Sequence, residues 1–495
     1  MSGCDRSGNA THRPVPRKRA GDARVIEARR PQRTFGDGFV ADTVIDLQEA
    51  WMRHTDAILD DEDLLATVHD ALGQRHPQSR TRGRHAAPAE VVLRLLVLKH
   101  VRNWSYATVE REVRGNLVYR HFTRIGGGKV PDAKTMGRWG VALGPSVIGA
   151  LHHRLVAMAQ QQHLIGGRKM RLDTTVVETN VHYPTDSSLL GDGVRVLTRT
   201  MKKVVAITGK VGTTLRDRSR SVKFRLLEIN RIARSKGAPR REALARAYRR
   251  LLGATSRVVG QAKRFAQEIR TGVKRTPDVL EQAALDGFRQ MLDIFVPRVR
   301  QVMRQTRARI FGGDTHVEDK LLSLFEPSTE VIRKGKANKP NEFGKLVKLQ
   351  EAEHQIITDY VVYAKRPSDA DLLTPALETH VETFGRVPRL VAGDAAFYST
   401  KNEVAAHARG VKRVCVPNRS TKDPTRRREQ KKRWFRKGQQ WRTGCEGRIS
   451  VVKRRHGLNR SRYKGADGMQ RWVGLGVIAD TVINIGRVLA GPVKP

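Results

Sequence analysis

Three carboxylates have neighbours suited to chemistry on phosphate esters. Asp173 lies inside residues 168–177, Arg-Lys-Met-Arg-Leu-Asp-Thr-Thr-Val-Val, whose β-branched end reads as a strand. Asp394 closes the short run 389–393 and is followed by Ala395 and Ala396, small residues that leave a ligand room near the backbone. Glu446 follows Arg442 and precedes Lys453 at helical spacing. At about 100° per residue these three fall within roughly 40° of one face. Gly444 and Gly447 weaken that helix, so its first turn is expected to be irregular.

Open α/β sheets place ligands at the ends of their strands. Hard divalent cations prefer carboxylate oxygen. In-line displacement at a phosphodiester builds charge on the attacking and leaving oxygens, and two metal ions about 4 Å apart stabilise both. Three carboxylates suffice to hold such a pair. An isolated aspartate is usually a cap, a turn or a surface charge, so the combination carries the reading. Glu178, Asp186 and Asp192 are rival carboxylates near the first strand, and Asp186 is the most serious of them. The run Asp186-Ser187-Ser188-Leu189 reads equally well as a helix N-cap.

The elements that must position these groups follow from periodicity. Strands are predicted over 329–333, 345–350, 355–363, 389–393 and 411–416, and helices over 371–384 and 400–408. With 168–177 as the first strand, the order predicts an α/β sheet with helices on its faces. Between the first strand and the rest, Phe288, Met291, Phe295, Val299 and Val302 step by three or four, as do Leu244, Tyr248, Leu251, Val258, Ala262, Phe265 and Ile269. Residues 195–308 are therefore expected to be a helical insertion within a split domain, 166–194 and 309–490. Residues 40–160 read as an all-α N-terminal domain. Ser105 is a plausible N-cap there, and a helix should start at Pro131-Asp132. Short helices in this region could form a helix-turn-helix reader or a plain bundle; no base-reading residue can be singled out. Residues 1–36, rich in Arg, Gly and Pro, are expected to be a disordered basic tail.

Lys and Arg total 94 against 49 Asp and Glu, a net charge of +45 over 495 residues. That excess makes a polyanion the expected partner. Residues 422–437 hold nine Lys or Arg, with Trp434 and Phe435 among them. Arg426, Arg427, Arg428, Lys431, Lys432 and Arg433 are candidates for phosphate contact, and Trp434 for stacking on a base. A solvated loop is the bland alternative. Arg454, Arg455, Arg460 and Arg462 extend the patch. Cys4, Cys415 and Cys445 form no CxxC pair, so neither a disulfide framework nor a zinc site is expected. Residues 474–490 are apolar but contain Asp480 and Arg487, which predicts a buried helix and no membrane span. His182 and Tyr183 are read as hairpin or core residues.

At these positions the chain resembles bacterial insertion-sequence transposases of the DDE class. Residues 88–122 are similar to their N-terminal helical domain, through Leu96, Ser105-Tyr106, Arg120 and Phe122. Leu172-Asp173-Thr174-Thr175 with Val177, Asn180 and His182-Tyr183-Pro184-Thr185-Asp186-Ser187 is the most specific stretch. Further matches are Phe325-Glu326-Pro327, Lys334-Gly335-Lys336, Glu342-Phe343-Gly344 and Gly393-Asp394-Ala395-Ala396-Phe397-Tyr398. Arg442, Glu446 and Lys453 resemble the family signature Tyr-x2-Arg-x3-Glu-x6-Lys, with Gln439 in place of the Tyr. The downstream run from Gly457 to Gly465, with Arg460, Arg462, Tyr463 and Lys464, also looks family-like.

The resemblance implies an RNase H-like mixed sheet with a helical insertion. It implies Asp173, Asp394 and Glu446 as catalytic metal ligands, with two Mg²⁺ ions (Mn²⁺ as substitute). It implies metal-dependent cleavage and transfer of an insertion sequence, with double-stranded DNA as partner, both the terminal inverted repeats and the target. Arg442 and Lys453 would hold phosphates. A homodimer or higher synaptic multimer and a cytoplasmic, nucleoid-associated location are expected. An RNase H-like nuclease and a transposase-derived DNA-binding regulator are the alternatives.

Overall fold

The computed structural model describes residues 27–30, 38, 43–75, 87–235, 240–333 and 341–491. The chain divides into two compact units. One comprises Met1–Gly166, Glu353–Thr358 and Gly474–Pro495; the other comprises Gly167–Ala352 and Asp359–Val473.

The first unit contains helices α1 (Ala50–Asp56), α2 (Glu62–Gly73), α3 (Ala89–Val101), α4 (Tyr106–Gly115), α5 (Leu117–Phe122), α6 (Ala133–Ala142) and α7 (Gly144–Gln161). Helix α3 is buried on every side from Ala89 to His100, because Val, Leu and Ala occupy most of its faces. Arg94 is fully buried and reaches Asp56 at 2.6 Å and Asp60 at 2.8 Å, so the charge is paired. The short helices start where polar caps satisfy their first amides. Ser105, Asn116 and Asp132 accept from the backbone of Thr108, Tyr119 and Thr135. Arg120 clamps the following loop, donating to the carbonyls of Gly126 and Gly128 at 2.7 Å each.

The expected disordered tail lies largely outside the described residues. Its described part, residues 27–30, is held in place. The Glu27 carbonyl accepts from the Ala89 amide, Arg29 donates to Glu62, and the Arg30 amide donates to Glu90.

The second unit is built on strands β1 (Lys169–Glu178), β2 (Glu330–Arg333), β3 (Asn341–Glu351), β5 (Leu390–Ala392) and β6 (Arg413–Cys415), with β4 (Ile357–Val362) belonging to it from Asp359 on. The order is β2-β3-β1-β5-β6, with β4 also paired to β3. Strand β1 is antiparallel to β3 and parallel to β5, and β5 is parallel to β6. These are the strands predicted from the sequence, to within a few residues.

Alternation along the parallel strands gives the sheet two different faces. Met170, Leu172, Val391 and Val414 pack on one face against α12 (Leu373–Phe384) and α13 (Thr400–Ala408). Arg171, Leu390, Ala392 and Cys415 lie on the other, against α15 (Arg433–Arg455), which follows α14 (Pro424–Lys431). The helix α16 (Gly465–Leu489) is long and apolar enough by composition to cross a membrane, yet most of its apolar stretch is buried within the protein.

Between β1 and β2 the described residues form four helices: α8 (Asp186–Thr208), α9 (Ser219–Arg234), α10 (Arg240–Arg270) and α11 (Val279–Gly312). They share a core that includes Leu197, Met201, Tyr248, Leu251, Phe265, Leu292 and Val299. Fully burying each such side chain contributes about 1.5–3 kcal/mol. The helical stretch begins at Asp186, earlier than residue 195. The reason is Thr185, whose side chain accepts from the Ser188 amide while Ser188 returns a bond to Thr185. Asp186 is therefore not the N-cap. It sits one residue inside the helix, nearly buried, and its carboxylate meets Arg309 at 2.5 Å.

Gly344 owes its identity to close approach. A Cβ there would stand 2.0 Å from the Val177 carbonyl on β1. Gly344→Ala must push the two strands apart, at a cost of about 1–3 kcal/mol for overpacking. Chemical denaturation should show the midpoint shifted down accordingly. An unchanged midpoint would mean the strands separate at no cost.

Candidate active site

Strands β1 and β5 bring Asp173 and Asp394 together by register. Arg171 pairs with Ala392 across the two parallel strands. Each aspartate lies two residues further along its own chain, so both fall on the face that carries α15. Neighbouring strands are about 4.8 Å apart, and the pairing ends at Arg171 and Ala392, two residues before the aspartates. The carboxylates are oriented locally. Asp173 Oδ1 accepts from the Thr174 amide at 2.7 Å, and Asp394 Oδ1 accepts from the Ala395 amide at 2.6 Å. The side chain of Asp173 is 16% exposed and that of Asp394 43%.

Helix α15 brings Glu446 to the same face. Contrary to the irregular first turn expected from its glycines, this helix is continuous from Arg433 to Arg455. The glycines are contact points instead. A Cβ on Gly444 would lie 2.4 Å from Arg171 Nη1, and one on Gly438 would lie 2.6 Å from Cys415 Sγ. Glycine thus allows the helix to lie close on the sheet.

Three fastenings hold the helix there. Arg171 Nη1 donates to the Trp441 carbonyl at 2.5 Å. Gln439 Nε2 donates to the carbonyls of Cys415 at 2.7 Å and Gly393 at 3.4 Å. Cys415 Sγ contacts the Phe435 carbonyl at 3.1 Å. Gln439, which stands where the family signature has Tyr, therefore ties α15 to the residue immediately before Asp394. The sequence marked Gln439 only as a departure from the signature, with no sign of this contact.

The expected common face of α15 is realised for Arg442 and Glu446. Arg442 Nη2 donates to Glu446 Oε1 at 2.9 Å, and its Nη1 lies 3.9 Å from Asp173 Oδ2. One guanidinium thus stands between two of the three carboxylates. Arg419 approaches the third, with Nη2 4.0 Å from Asp394 Oδ1. Lys453 is half-buried, near the end of the same helix.

Behind Asp173, Arg171 forms a buried pair with Glu351 on β3, at 2.5 Å. Cys445 lies against Glu351. Burial first, then the neighbouring Glu351 carboxylate, pushes its thiol well above the usual range, so it stays protonated. Burial likewise raises the Cys415 thiol.

The basic candidates divide into two groups. Residues 424–431 and 433 onward are helical, not a loop. Arg427, Arg428, Lys431, Lys432 and Arg433 are exposed there, as are Arg454, Arg455, Arg460 and Arg462. Trp434 is half-buried. Arg426 turns inward. It pairs with Glu403, donates to the Val416 carbonyl at 2.8 Å, and lies over the Tyr398 and Phe435 rings. Its role is to hold α14 down. His182 and Tyr183 are exposed, not core; Tyr183 stands edge-on to Phe343 at 5.3 Å.

Among the described residues, no group of three His, Cys, Asp or Glu side chains stands close enough to hold a metal ion as placed. The donor types nevertheless suit a hard cation, since all three are carboxylates. Arg442 already supplies positive charge between Asp173 and Glu446, the charge such an ion would bring.

Two family models match the chain. One, described as "Transposase domain (DUF772)", spans residues 40–140, helices α1 to α6. The other, "Transposase DDE domain", spans residues 402–489 and includes Arg442, Glu446 and Lys453. Asp173 and Asp394 lie outside both. No curated protein and no solved structure matches the chain significantly. The class these matches define is a DNA-acting transposase. Over these two segments, residues 40–140 and 402–489, the chain is similar to insertion-sequence transposases of the DDE type.

Proposed function

We propose that the protein cleaves and joins the ends of an insertion sequence, using Asp173, Asp394 and Glu446 as its catalytic carboxylates on an RNase H-like sheet. The observation that supports this is the register of β1 and β5: each aspartate follows the paired Arg171 and Ala392 by two residues, on the face where Arg171 holds the helix of Glu446. In this reading the three carboxylates hold Mg²⁺ or Mn²⁺, and two bound ions would activate the attacking oxygen and stabilise the leaving one.

The chain's own groups prepare that site. Thr174 and Ala395 amides fix one oxygen of each aspartate, which sets the direction of each carboxylate. Arg442 holds Glu446 towards Asp173 and offers a guanidinium to a phosphate oxygen. The exposed cations of 427–433 and 454–462 neutralise the backbone of duplex DNA, at the transposon ends and at the target. A synaptic dimer or higher multimer, acting in the cytoplasm at the nucleoid, completes the proposal, with the helical domain of residues 40–160 contacting the terminal repeats.

The test uses the full chain with the DNA that flanks its gene. Terminal inverted repeats bordered by a short target duplication should be present. Labelled repeat ends should be nicked with Mg²⁺ and joined to a plasmid, and EDTA should stop both steps. Cleavage indifferent to repeat sequence would favour a general nuclease. Repeat binding with no cleavage in either metal would favour a regulator.

A further inference from the structure

At the opposite end of the parallel strands from Asp173 and Asp394 lies an open pocket of about 1050 Å³. Arg168 and Lys169 enter it from the start of β1, Arg389 from the start of β5, and Lys412 and Arg413 from the start of β6. Arg433 and Lys437 come from the first turns of α15, and Trp434 and Trp441 of the same helix also line the pocket. All seven cations are exposed. The lining residues include no carboxylate. Both indoles are half-buried, and cations already sit on their faces: Lys169 is 5.8 Å from the Trp441 ring and Arg413 is 5.6 Å from the Trp434 ring.

We infer that this pocket binds a segment of single-stranded DNA, its phosphates on the ring of cations and an unpaired base against Trp434 or Trp441. Dense positive charge without acids selects a polyanion. Aromatic side chains interleaved with those charges select one whose bases are unstacked, since a duplex keeps its π-faces covered. The inference rests on the reading of the protein as a DNA-acting enzyme, but the pocket is separate from the proposed carboxylates.

Its position gives it a purpose. Helix α15 runs from the pocket to Glu446, and at about 1.5 Å per residue Trp441 and Glu446 are only some 7–8 Å apart along its axis. Trp441 is also the residue whose carbonyl holds Arg171, two positions before Asp173. A strand seated here is thereby registered to the helix that carries the glutamate.

The experiment measures binding, so it does not depend on cleavage. Labelled oligothymidylate and a duplex of equal length are titrated against the full chain, following anisotropy and tryptophan emission. Oligothymidylate should quench emission, and Trp434→Phe with Trp441→Phe should remove the quench while the other tryptophans still report a folded chain. Replacing Arg389, Lys412, Arg413 and Lys437 by Gln should weaken oligothymidylate binding about tenfold or more. It should also lower the slope of log K against log salt by about three, at about 0.7 per lost single-strand phosphate contact. Duplex affinity should change much less. Equal losses for duplex and single strand would make the pocket a duplex contact and overturn the inference. An unchanged slope, or a quench that survives both Phe substitutions, would overturn it as well. If these results hold while Asp394→Ala still cleaves, the assignment of the carboxylates fails and the pocket stands.

Discussion

Asp173→Ala and Asp394→Ala should each abolish strand cleavage and joining while leaving the protein folded and bound to DNA. A metal-held carboxylate supplies several kcal/mol of transition-state stabilisation. Each 1.36 kcal/mol is tenfold in rate, so a loss of at least about 10³-fold is expected. Binding should hold or tighten, because each substitution removes a negative charge beside the phosphates. Glu446→Ala should lose activity to a similar degree. Its side chain is 55% exposed and pairs with Arg442 on its own helix, so little folding energy depends on it. The measurements are Mg²⁺-dependent joining of labelled ends, a gel shift and a thermal melt on each variant. Full joining by Asp394→Ala would sink the assignment, since no other carboxylate lies two residues beyond the β1–β5 pairing on that strand.

The parts of this arrangement differ in how far the sequence displayed them. Strand placement was legible because alternation and β-branched runs repeat within five or six residues, a local signal. The common face of Arg442 and Glu446 was legible because helical spacing is also local. What was not legible depends on contacts between distant segments. Gly444 reads as a helix breaker until Arg171 is seen to lie against it, far away in the chain. Gln439 reads as a departure from a signature until the Gly393 and Cys415 carbonyls are seen to receive its amide. Arg426 reads as one more cation in a basic run until Glu403 and two aromatic rings turn it inward. The basic pocket was invisible for the same reason. Its residues come from three strand starts and a helix, which the sheet topology alone brings together.

Breaking the buried pair of Arg171 and Glu351 should destabilise the fold more than Gly344→Ala does. Their side chains are 4% and 0% exposed, and Glu351 Oε2 accepts from both Nε and Nη2. Removing one partner of such a pair strands a charge in the interior, at about 3–5 kcal/mol. Glu351→Gln should therefore lower the melting temperature by roughly 10 °C, at some 2–4 °C per kcal/mol for a domain of this order. The double variant Arg171→Met, Glu351→Leu leaves no charge behind and should recover most of that loss, because apolar replacements of buried pairs are often neutral or better. Activity should not recover with it. Arg171 also donates to the Trp441 carbonyl and stacks on its ring at 4.9 Å, so the double variant frees α15 to shift and carries Arg442 and Glu446 away from Asp173. Melting curves and end-joining rates on both variants separate the two effects. A double variant that joins DNA at the wild-type rate would show that the Arg171 contact does not position the helix, and a Glu351→Gln melt within a degree of wild type would show that the pair is solvated.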